Sequence, residues 1–374
     1  MKVKLIDLCT PKQWKTLQTS ELLEEGYPVY GANGIIGYYS EYNHEKSVIA
    51  ITCRGATCGT INITVPESYV TGNAMCLDNV RSDVLQKYLY YCLQHYDFNN
   101  VISGSAQPQI TRQGLEKVEI ELCSPEEQRR IITILDNVSA EIAGRKQQNQ
   151  KLEELIKSRF VEMFGELEAN PHKYMVTSLQ TLIDHGMITY HLDGNHGGDY
   201  PRSEEFSAKG VPYIGANCIV DGRIDFRIAK HLPIERANRL RKGIAKDSDV
   251  LFAHNATVGP VVVLETQEPK VILSTSLTAY RCNTESINPY YLSSYMLSDG
   301  FVKQYSAEMK QTTRNQVPIT AQKKYLFMVP PIELQEQFAA FVSEVDKSKL
   351  AVKQSLEKLE TLKKSLMQQY FGGK

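Results

Sequence analysis

Ser124-Pro125-Glu126-Glu127-Gln128 opens a long charged segment that runs to Phe164-Gly165. A second segment of the same design opens at Pro330-Pro331-Ile332-Glu333-Leu334-Gln335 and runs to Phe371-Gly372. Gln335 follows Gln128 by 207 residues, and the same spacing superimposes the two closing Phe-Gly pairs. One constant spacing over about forty positions indicates an internal duplication.

Each segment is predicted to form one long helix. Ser124 can cap the first helix, Pro125 suits the first helical position, and Glu127 completes an S-x-x-E capping box. Gly165 and Gly372 stand where a left-handed residue would close each helix. At a rise of 1.5 Å per residue, each helix would be about 60 Å long.

Apolar residues recur along both segments at spacings of four and three, which predicts a coiled-coil seam. The seam positions are Ile131, Leu135, Val138 and Ile142 in the first copy and Phe338, Val342, Val345, Val352, Leu356 and Leu359 in the second. Only one face of each helix is apolar, so each helix needs a partner, and the other copy is the favoured one. Arg145 and Asn149 interrupt the first seam, and polar seam residues usually fix register.

The composition is that of a globular protein with room for two or three domains. The chain has 374 residues, of which 42% are apolar and 23% charged. No run of 18 apolar residues occurs, and the N-terminal residues lack the apolar core of a signal peptide, so we expect a cytoplasmic protein without a membrane span. The eight cysteines are scattered without a C-x-x-C pair, which favours reduced thiols over a zinc site.

The charge balance does not by itself indicate a nucleic-acid partner. The formal net charge is −1, and no segment is a polybasic arm. A DNA partner would therefore have its phosphates met by a local patch and not by a global field.

The rest of the chain is predicted to form two globular units of one plan. We place the first unit at residues 1–123, the first long helix at 124–168, the second unit at 169–329 and the second long helix at 330–374. Both units contain short β-type runs punctuated by glycines, with one helix predicted at 83–95 and one at 289–305. The predicted class is α+β, with two mixed α/β domains joined by two long antiparallel coiled-coil helices in a pseudo-twofold repeat.

Three short landmarks carry the duplication into the globular units. The segment 26–33 matches 210–217, Ala56-Thr57-Cys58-Gly59 matches Ala256-Thr257-Val258-Gly259, and Gln107-Pro108-Gln109-Ile110-Thr111 matches Gln316-Val317-Pro318-Ile319-Thr320. Because the sequence between the landmarks diverges, we expect one scaffold with two different surfaces and two related ligands of different identity.

This order of unit, helix, unit and helix, with an Ala-Thr-x-Gly and a Gln-x-x-Ile-Thr landmark in each unit, resembles the specificity (S) subunit of type I restriction-modification enzymes over the whole chain. The segments Lys12-Gln13-Trp14-Lys15-Thr16 and 31–37 resemble one type of target recognition domain. Those at 193–197, 215–217 and 249–252 resemble another.

The resemblance implies a division of labour. Each unit would be a target recognition domain that reads one half of a bipartite, asymmetric double-stranded DNA site, and the helices would set the gap between the halves. The chain itself would be non-catalytic and hold no cofactor. It would recruit two methyltransferase (M) subunits, which use S-adenosylmethionine to methylate adenine N6, and two restriction (R) subunits, which use ATP and Mg²⁺ in an endonuclease.

Two motifs allow a catalytic or metal-binding interpretation beside a simpler structural one. Asn288-Pro289-Tyr290-Tyr291 is similar to the N-P-P-Y loop of amino-methyltransferases, but a helix start explains it better. His191, Asp193, His196 and Asp199 could hold a metal, although a DNA-facing loop is favoured, and no metal site is predicted. No P-loop or nuclease pattern occurs.

Candidate DNA contacts are polar residues on glycine-rich loops, because Arg, Lys, Asn and Gln read base edges while Arg, Lys, Ser and Thr bind phosphates. For each one, a turn or strand-end role is an equal alternative. In the first unit the candidates are Lys12, Lys15, Asn33, Arg54, Thr57, Gln107, Gln109 and Arg112. In the second they are Arg202, Asn217, His254, Asn255, Thr257, Lys310, Thr312, Arg314 and Asn315.

Two other functions stay open on the sequence. The chain could serve a methyltransferase that has no nuclease partner, or it could be a coiled-coil adaptor whose units bind protein or carbohydrate. The sequence separates neither the base-reading residues from the phosphate-binding ones nor the contacts to the methyltransferase subunits. The DNA target cannot be read from residue types, because base identity depends also on loop geometry and DNA shape.

Overall fold

The protein divides into two compact units, each built from a globular part and portions of both long helices. The structure is a computed structural model that describes residues 1–32, 34–104, 107–309 and 315–372. The first unit comprises Met1–Gln147 and Lys353–Lys374, and the second comprises Gln148–Val352. The boundary between the units therefore cuts through both long helices.

Within its described residues, the first unit contains eleven short strands, two short α-helices, the beginning of the first long helix and the end of the second. The strands are β1 (Lys2–Lys4), β2 (Thr10–Gln13), β3 (Tyr27–Gly31), β4 (Gly34–Tyr39), β5 (Ile49–Thr52), β6 (Ile61–Ile63), β7 (Tyr69–Val70), β8 (Ala74–Asp78), β9 (Ile102–Ser103), β10 (Gln109–Ile110) and β11 (Glu119–Glu121). The helices are α1 (Gln86–His95), α2 (Arg112–Leu115) and α3 (Pro125–Phe164).

Two sheets form the body of the first unit. One is antiparallel with the order β2-β8-β5-β6, and the other has the order β4-β3-β7 with a parallel β3–β7 pair. The core packs Ile49, Ile51 and Leu77 of the first sheet against Tyr88 and Leu89 of α1. Their burial in one cluster is the main source of stability for this unit.

The second unit contains twelve strands and five helices besides the long ones, again counted over its described residues. The strands are β12 (Met175–Ser178), β13 (Ile188–Asp193), β14 (Val211–Ile214), β15 (Ile219–Val220), β16 (Arg223–Ile224), β17 (Lys230–Leu232), β18 (Ile244–Ala245), β19 (Val250–Ala253), β20 (Val261–Val263), β21 (Val271–Leu273), β22 (Leu277–Cys282) and β23 (Leu326–Val329). The helices are α4 (Leu179–Asp184), α5 (Ile234–Arg239), α6 (Pro289–Met296), α7 (Asp299–Met309), α8 (Ile319–Gln322) and α9 (Ile332–Phe371).

The second unit repeats the plan of the first. Its antiparallel sheet has the order β13-β22-β19-β20, which matches β2-β8-β5-β6 strand for strand. Its second sheet, β17-β14-β21-β18, contains a parallel β14–β21 pair that matches β3–β7. The predicted α+β class and the internal repeat are confirmed.

Both long segments are single uninterrupted helices of 40 residues. Ser124 caps α3, because its Oγ accepts from the Glu127 N–H at 3.3 Å, while the Glu127 carboxylate pairs with Arg130. Gly165 closes α3 with φ of +73°, as predicted. The left-handed cap predicted at Gly372 is wrong: this glycine donates its N–H to the Gln368 carbonyl without adopting a positive φ.

The two long helices run antiparallel within each unit. In the first unit, Ile131 and Leu135 of α3 share a core with Met367 of α9, and Lys146 lies 3.3 Å from Glu360. Early residues of one helix thus meet late residues of the other, which confirms the pairing predicted from the seam and the expected antiparallel direction.

The same pairing holds within the second unit. Phe160 and Phe164 of α3 each pack on Phe338 of α9 at 5.6 Å between ring centroids, and Glu153 lies 3.4 Å from Lys349. The interrupting residues Arg145 and Asn149 are half-buried, as seam residues should be.

Two shorter helices differ from their predictions. The helix expected at 83–95 begins at Gln86. The residues before it are bound instead to Gln128 of α3, because the Leu85 N–H donates to the Gln128 side chain and the Asp83 carbonyl accepts from it. The one expected at 289–305 is two helices, α6 and α7, and Ser298 between them accepts from the Phe301 N–H through both its carbonyl and its hydroxyl. None of the described helices is long and apolar enough to cross a membrane.

Candidate nucleic-acid interface

In the first unit, the turn after β5 lies against the strand before α2. The Gly55 N–H donates to the Pro108 carbonyl at 3.2 Å, and the Ile110 N–H donates to the Cys53 carbonyl at 3.1 Å. Arg54 is thereby paired with Gln109 in an isolated bridge. These bonds gather four of the predicted contacts into what we call the first turn surface, namely Arg54, Thr57, Gln107 and Gln109. Gln109 is half-buried and the other three are exposed.

The second unit builds the same arrangement after β19. The Ala256 N–H donates to the Asn315 carbonyl at 3.0 Å, and the Val317 N–H donates to the His254 carbonyl at 2.8 Å. Asn255 pairs with Gln316, as Arg54 pairs with Gln109. We call Asn255, Thr257, Asn315 and Gln316 the second turn surface.

This pairing corrects the third sequence landmark. Matching Gln107 with Gln316 predicted the wrong register, because the bridges make Gln109 the counterpart of Gln316. Gln316 follows Gln109 by 207 residues, which is also the spacing of α2 from α8 and of α3 from α9. The duplicated block therefore extends without insertion from this strand to the ends of the long helices. Gln316, absent from the sequence candidates, belongs to the second turn surface.

Both turns depend on left-handed backbone at equivalent positions. Gly55 has φ of +87° and its counterpart Ala256 has +65°, while Gly59 and Gly259 close the two turns at +93° and +123°. The match of Ala56 with Ala256 is therefore one residue out of register, because the bridges and the positive φ make Gly55 the counterpart of Ala256.

The turn that the Ala-Thr-x-Gly landmark marks requires positive φ, as favoured for glycine. Its final glycine holds the fold. Thr57 and Thr257 are exposed, whereas Cys58 and Val258 pack against the cores of their units.

Other predicted contacts lie beside the turn surfaces. Lys12 stacks its ammonium 3.6 Å from the Trp14 ring, and neighbouring Gln13 donates to both Cys53 Sγ and the Gly72 carbonyl at 3.0 Å. Lys15 is exposed, and its carbonyl accepts from the Tyr69 hydroxyl at 3.1 Å. Exposed Arg112 begins α2, whose cap Thr111 directly follows Ile110.

In the second unit, exposed Asn217 is brought to the turn surface through Ser276. The Ser276 hydroxyl accepts from the Ala216 N–H at 2.8 Å, and the Ser276 carbonyl accepts from the His254 N–H at 3.0 Å. Arg202 is exposed but belongs to a separate turn, where its N–H donates to Glu205 at 2.7 Å. Asn33, Lys310, Thr312 and Arg314 lie outside the described residues.

His254 does not fit the predicted surface role. Its side chain is 1% exposed, and Nδ1 lies 3.0 Å from the Val317 carbonyl, so the ring is part of the core below the turn. Burial lowers the pKa of His254, which keeps the ring neutral. A ring with this placement cannot reach a base edge.

A buried polar network lies under the second turn surface. The Gln322 Oε1 atom accepts from the Tyr280 hydroxyl at 2.6 Å and from His191 Nε2 at 3.1 Å, while Gln322 Nε2 donates to Thr278 and to the Val317 carbonyl. Burial lowers the pKa of His191 to about 4. His191 is therefore a neutral structural donor and not a metal-binding or DNA-contacting group.

The geometry favours a structural role for the motifs that could suggest catalysis or metal binding. Asn288 caps α6 by accepting from the Tyr290 N–H at 2.9 Å, and Tyr291 is buried, so this segment is a helix start. His196 pairs with Asp193 at 2.8 Å on the surface. Metal-ligand types also meet in the first unit, where His44 Nε2 lies 3.0 Å from Asp78 Oδ1 beside Cys76, an arrangement that a hydrogen bond explains.

Each long helix is tied to its own unit by an equivalent buried glutamine. Gln128 accepts from the Leu85 N–H at 2.8 Å and donates to the Asp83 and Cys123 carbonyls at 3.0 and 2.9 Å. The spacing of Gln128 from Gln335 indicates the duplication, but the sequence does not predict this buried role.

Gln335 makes the same three bonds in the second unit. It accepts from the Asn288 N–H at 2.9 Å and donates to the Ser286 and Pro330 carbonyls at 3.2 and 2.8 Å. Both side chains have no exposed area. The two glutamines therefore fix the approach of α1 and α6 to the long helices.

Comparison with known proteins assigns the chain to a family. The model of the type I restriction modification DNA specificity domain matches residues 1–154 and 191–363. The type I restriction enzyme EcoprrI specificity subunit of Escherichia coli is 31% identical over 110 residues, which cover 29% of this chain and 27% of that protein. The MjaVIII specificity subunit of Methanocaldococcus jannaschii is 21% identical over 306 residues, or 77% of this chain and 69% of that protein.

A solved structure shares the fold. The type I restriction-modification S subunit from M. genitalium superimposes with a TM-score of 0.62 at 16% identity, over 99% of this chain and 96% of that one. The match to the E. coli relative spans about a quarter of that protein's length. The family model, in contrast, covers both globular units and most of both long helices. The chain belongs to the type I restriction-modification DNA specificity family.

Proposed function

We propose that this chain is the DNA-specificity subunit of a type I restriction-modification complex and that each unit reads one half of a bipartite double-stranded DNA target. The observation that carries the proposal is the repeated construction of the two turn surfaces. Equivalent backbone bonds present Arg54 and Gln109 in one unit and Asn255 and Gln316 in the other. One scaffold that displays different base-reading side chains suits a protein that reads two unlike half-sites.

The chain supplies recognition and assembly in this proposal, and its partners supply the chemistry. Two M subunits would bind S-adenosylmethionine and methylate adenine, and two R subunits would bind ATP and Mg²⁺. The names of the relatives, each a specificity subunit of a type I restriction enzyme, support a subunit role. Pseudo-twofold construction suits two copies of a partner.

The low net charge makes the salt dependence of binding an informative test. The affinity of the full chain for its DNA target, with its M subunit present, is expected to fall steeply as salt rises, because neutralised phosphates release counterions. A contact to six phosphates would lower the affinity by about a thousandfold between 50 and 200 mM salt. Salt-independent binding, or equal affinity for target and scrambled duplex, would contradict a DNA-reading role and favour a protein or carbohydrate ligand.

Unit-specific variants sharpen the test. Arg54→Ala with Gln109→Ala is expected to relax recognition of one half-site only, and Asn255→Ala with Gln316→Ala of the other only. Loss of one bidentate base contact corresponds to about 1–3 kcal/mol of discrimination. The measurement is sequencing of methylated sites in a host that carries the chain and its M subunit. If both variants relax the same half-site, the division of labour is wrong.

A methyltransferase complex without R subunits is a second form of the same function. Recognition and methylation would be identical in that complex, and only cleavage would be missing. Purification of the complex from its native host, followed by an ATP-dependent cleavage assay on unmethylated target DNA, distinguishes the two forms.

A further inference from the structure

The β3–β4 hairpin of the first unit contains a bulge at two neighbouring isoleucines. Tyr30 pairs with Ile35 and Val29 pairs with Gly37, so Ile36 is an extra residue without a partner of its own. A bulge breaks the alternation of side chains across a strand and re-aims the residues it contains. Here it leaves two consecutive β-branched side chains facing away from the core.

Both isoleucines are well exposed, although neighbours in a regular strand point to opposite faces. Ile35 is 53% exposed and Ile36 is 43% exposed. Ile36 is also seated against Gly31, because a β-carbon at Gly31 would lie 2.9 Å from Ile36 Cγ2. The local structure therefore holds an apolar edge in a defined position on the outside of the unit.

This edge is continuous with the candidate DNA interface. The Ala32 carbonyl accepts from the Thr52 hydroxyl at 2.6 Å, two residues before Arg54 of the first turn surface. On the other side, β3 pairs with β7, and Tyr69 of β7 donates to the Lys15 carbonyl at 3.1 Å. The hairpin is thus tied on one side to base-reading groups and on the other to an exposed lysine.

We propose that Ile35 and Ile36 contact thymine methyl groups in the major groove of the half-site bound by the first unit. The inference rests on the proposed DNA-reading function and adds apolar readout to it. The major groove admits a two-stranded β-ribbon, and the thymine methyl group is the apolar feature it displays. The flanking Lys15 supplies positive charge for a phosphate on one side, and Arg54 of the first turn surface lies on the other.

At this position the second unit has, among its described residues, only the short ribbon of β15 and β16, which carries exposed Val220 and no pair of adjacent exposed isoleucines. Its β14 strand, the counterpart of β3, pairs with β17 and is followed by the turn that carries Asn217. The apolar contact is therefore expected for one half-site only. This asymmetry provides an internal control within a single protein.

The test replaces thymine by deoxyuridine, which removes only the methyl group. The full chain with its M subunit is titrated with duplexes of its target, first identified by sequencing of methylated sites, that carry deoxyuridine at single positions of the first unit's half-site. We expect about a fourfold loss of affinity for each contacted methyl group, the factor that corresponds to burial of one such group. The variant Ile35→Ser with Ile36→Ser should bind the thymine duplex as weakly as the wild type binds a duplex with deoxyuridine at every contacted position, and it should no longer distinguish thymine from deoxyuridine there.

Ile6→Ser is the matched control, because Ile6 is an exposed isoleucine of the same unit that lies outside the hairpin. This variant should keep the thymine preference, and all variants should respond equally to deoxyuridine in the other half-site. Indifference of the wild type to deoxyuridine throughout the half-site, a half-site without A·T pairs, or an unchanged preference in the double variant would overturn the proposal. If the wild type fails to distinguish target from scrambled duplex, the proposed function itself fails.

Discussion

The two globular units match each other closely in one part of the chain and differ in another. From Gln109 and Gln316 to the ends of the long helices, the two copies keep one spacing of 207 residues. Before that point the spacing between equivalent residues varies. Gly259 follows Gly59 by 200 residues, and Tyr213 follows Val29 by 184. Insertions and deletions are therefore confined to the part of each unit that carries its hairpins and turns.

The difference separates a frame that both copies share from surfaces that differ between the copies. The frame contains the long helices and their buried glutamines, whose three bonds recur in both copies. The surfaces differ between the units. The first has an exposed isoleucine edge, and the second lies over a buried histidine network. If this separation is right, frame substitutions should act alike in both units and surface substitutions should not.

The largest stability effect is expected from the two glutamines. Gln128→Leu and Gln335→Leu each leave one buried N–H and two carbonyls without their side-chain partner, and we expect a loss of about 3 kcal/mol in the unit concerned. Hydrogen exchange in increasing urea, resolved by peptide, measures each unit separately. Gln113→Leu, at an exposed position on α2, is the control and should change little. A large loss in only one unit would break the equivalence of the frame.

An effect of comparable size at roughly pH 4, and a smaller one at about pH 6, is expected from the two buried histidines of the second unit. The pKa of folded His191 is about 4, and that of His254 is also lowered, both through burial. The unfolded chain binds protons at these rings below about pH 6.5, where the folded unit does not. Stability should therefore fall from about pH 6.5 towards 4, by up to about 1.4 kcal/mol per pH unit for each histidine.

The histidine origin of this slope can be checked with matched variants. His191→Gln should flatten the pH dependence of unfolding of the second unit, whereas His185→Gln, at an exposed position of the same unit, should not. An unchanged slope in His191→Gln would assign the acid sensitivity to other groups.

The smallest effects are expected at the paired left-handed turn positions. Gly55→Ala should destabilise the first unit by about 1 kcal/mol, because an alanine at positive φ is strained even though the space beside Gly55 is open. Ala256→Gly should stabilise the second unit by about 0.5 kcal/mol, since relief of the strain exceeds the entropy that glycine loses. Thermal melts of the two variants, compared with the wild type, give the signs. Equal signs would show that the two turns are not equivalent.

The periodicity and the duplication were sufficient to predict the frame. The seam residues, the start of α3 at Pro125 and the repeated α+β units all follow from patterns that are local in sequence or recur at one spacing. The register at Gln109 and Gln316 could not be obtained in this way. This register is set by the pairing of Gln109 with Arg54, which are distant in sequence. Residue identity alone favours Gln107 as the counterpart of Gln316.

The surface was only partly predictable for the same physical reason. Arg54, Gln109 and Asn255 were named from residue type and glycine-rich context, and tertiary bonds bring them together in their units. The burial of His254 depends on which way its ring turns at the end of β19, and no sequence pattern encodes that choice. The exposure of Ile36 depends on a bulge that is visible only in the pairing.

The central claim is that two dissimilar readers are joined by helices that set the gap between half-sites, and altering the helices tests it most directly. Two heptads would be deleted from the middle of α3, residues 142–155, and the two that face them from α9, residues 349–362, so that the antiparallel seam is kept. Methylated sites would then be sequenced in a host that carries the altered chain and its M subunit. The account predicts the original two half-sites separated by a different number of base pairs. The original half-sites at the original gap would contradict it.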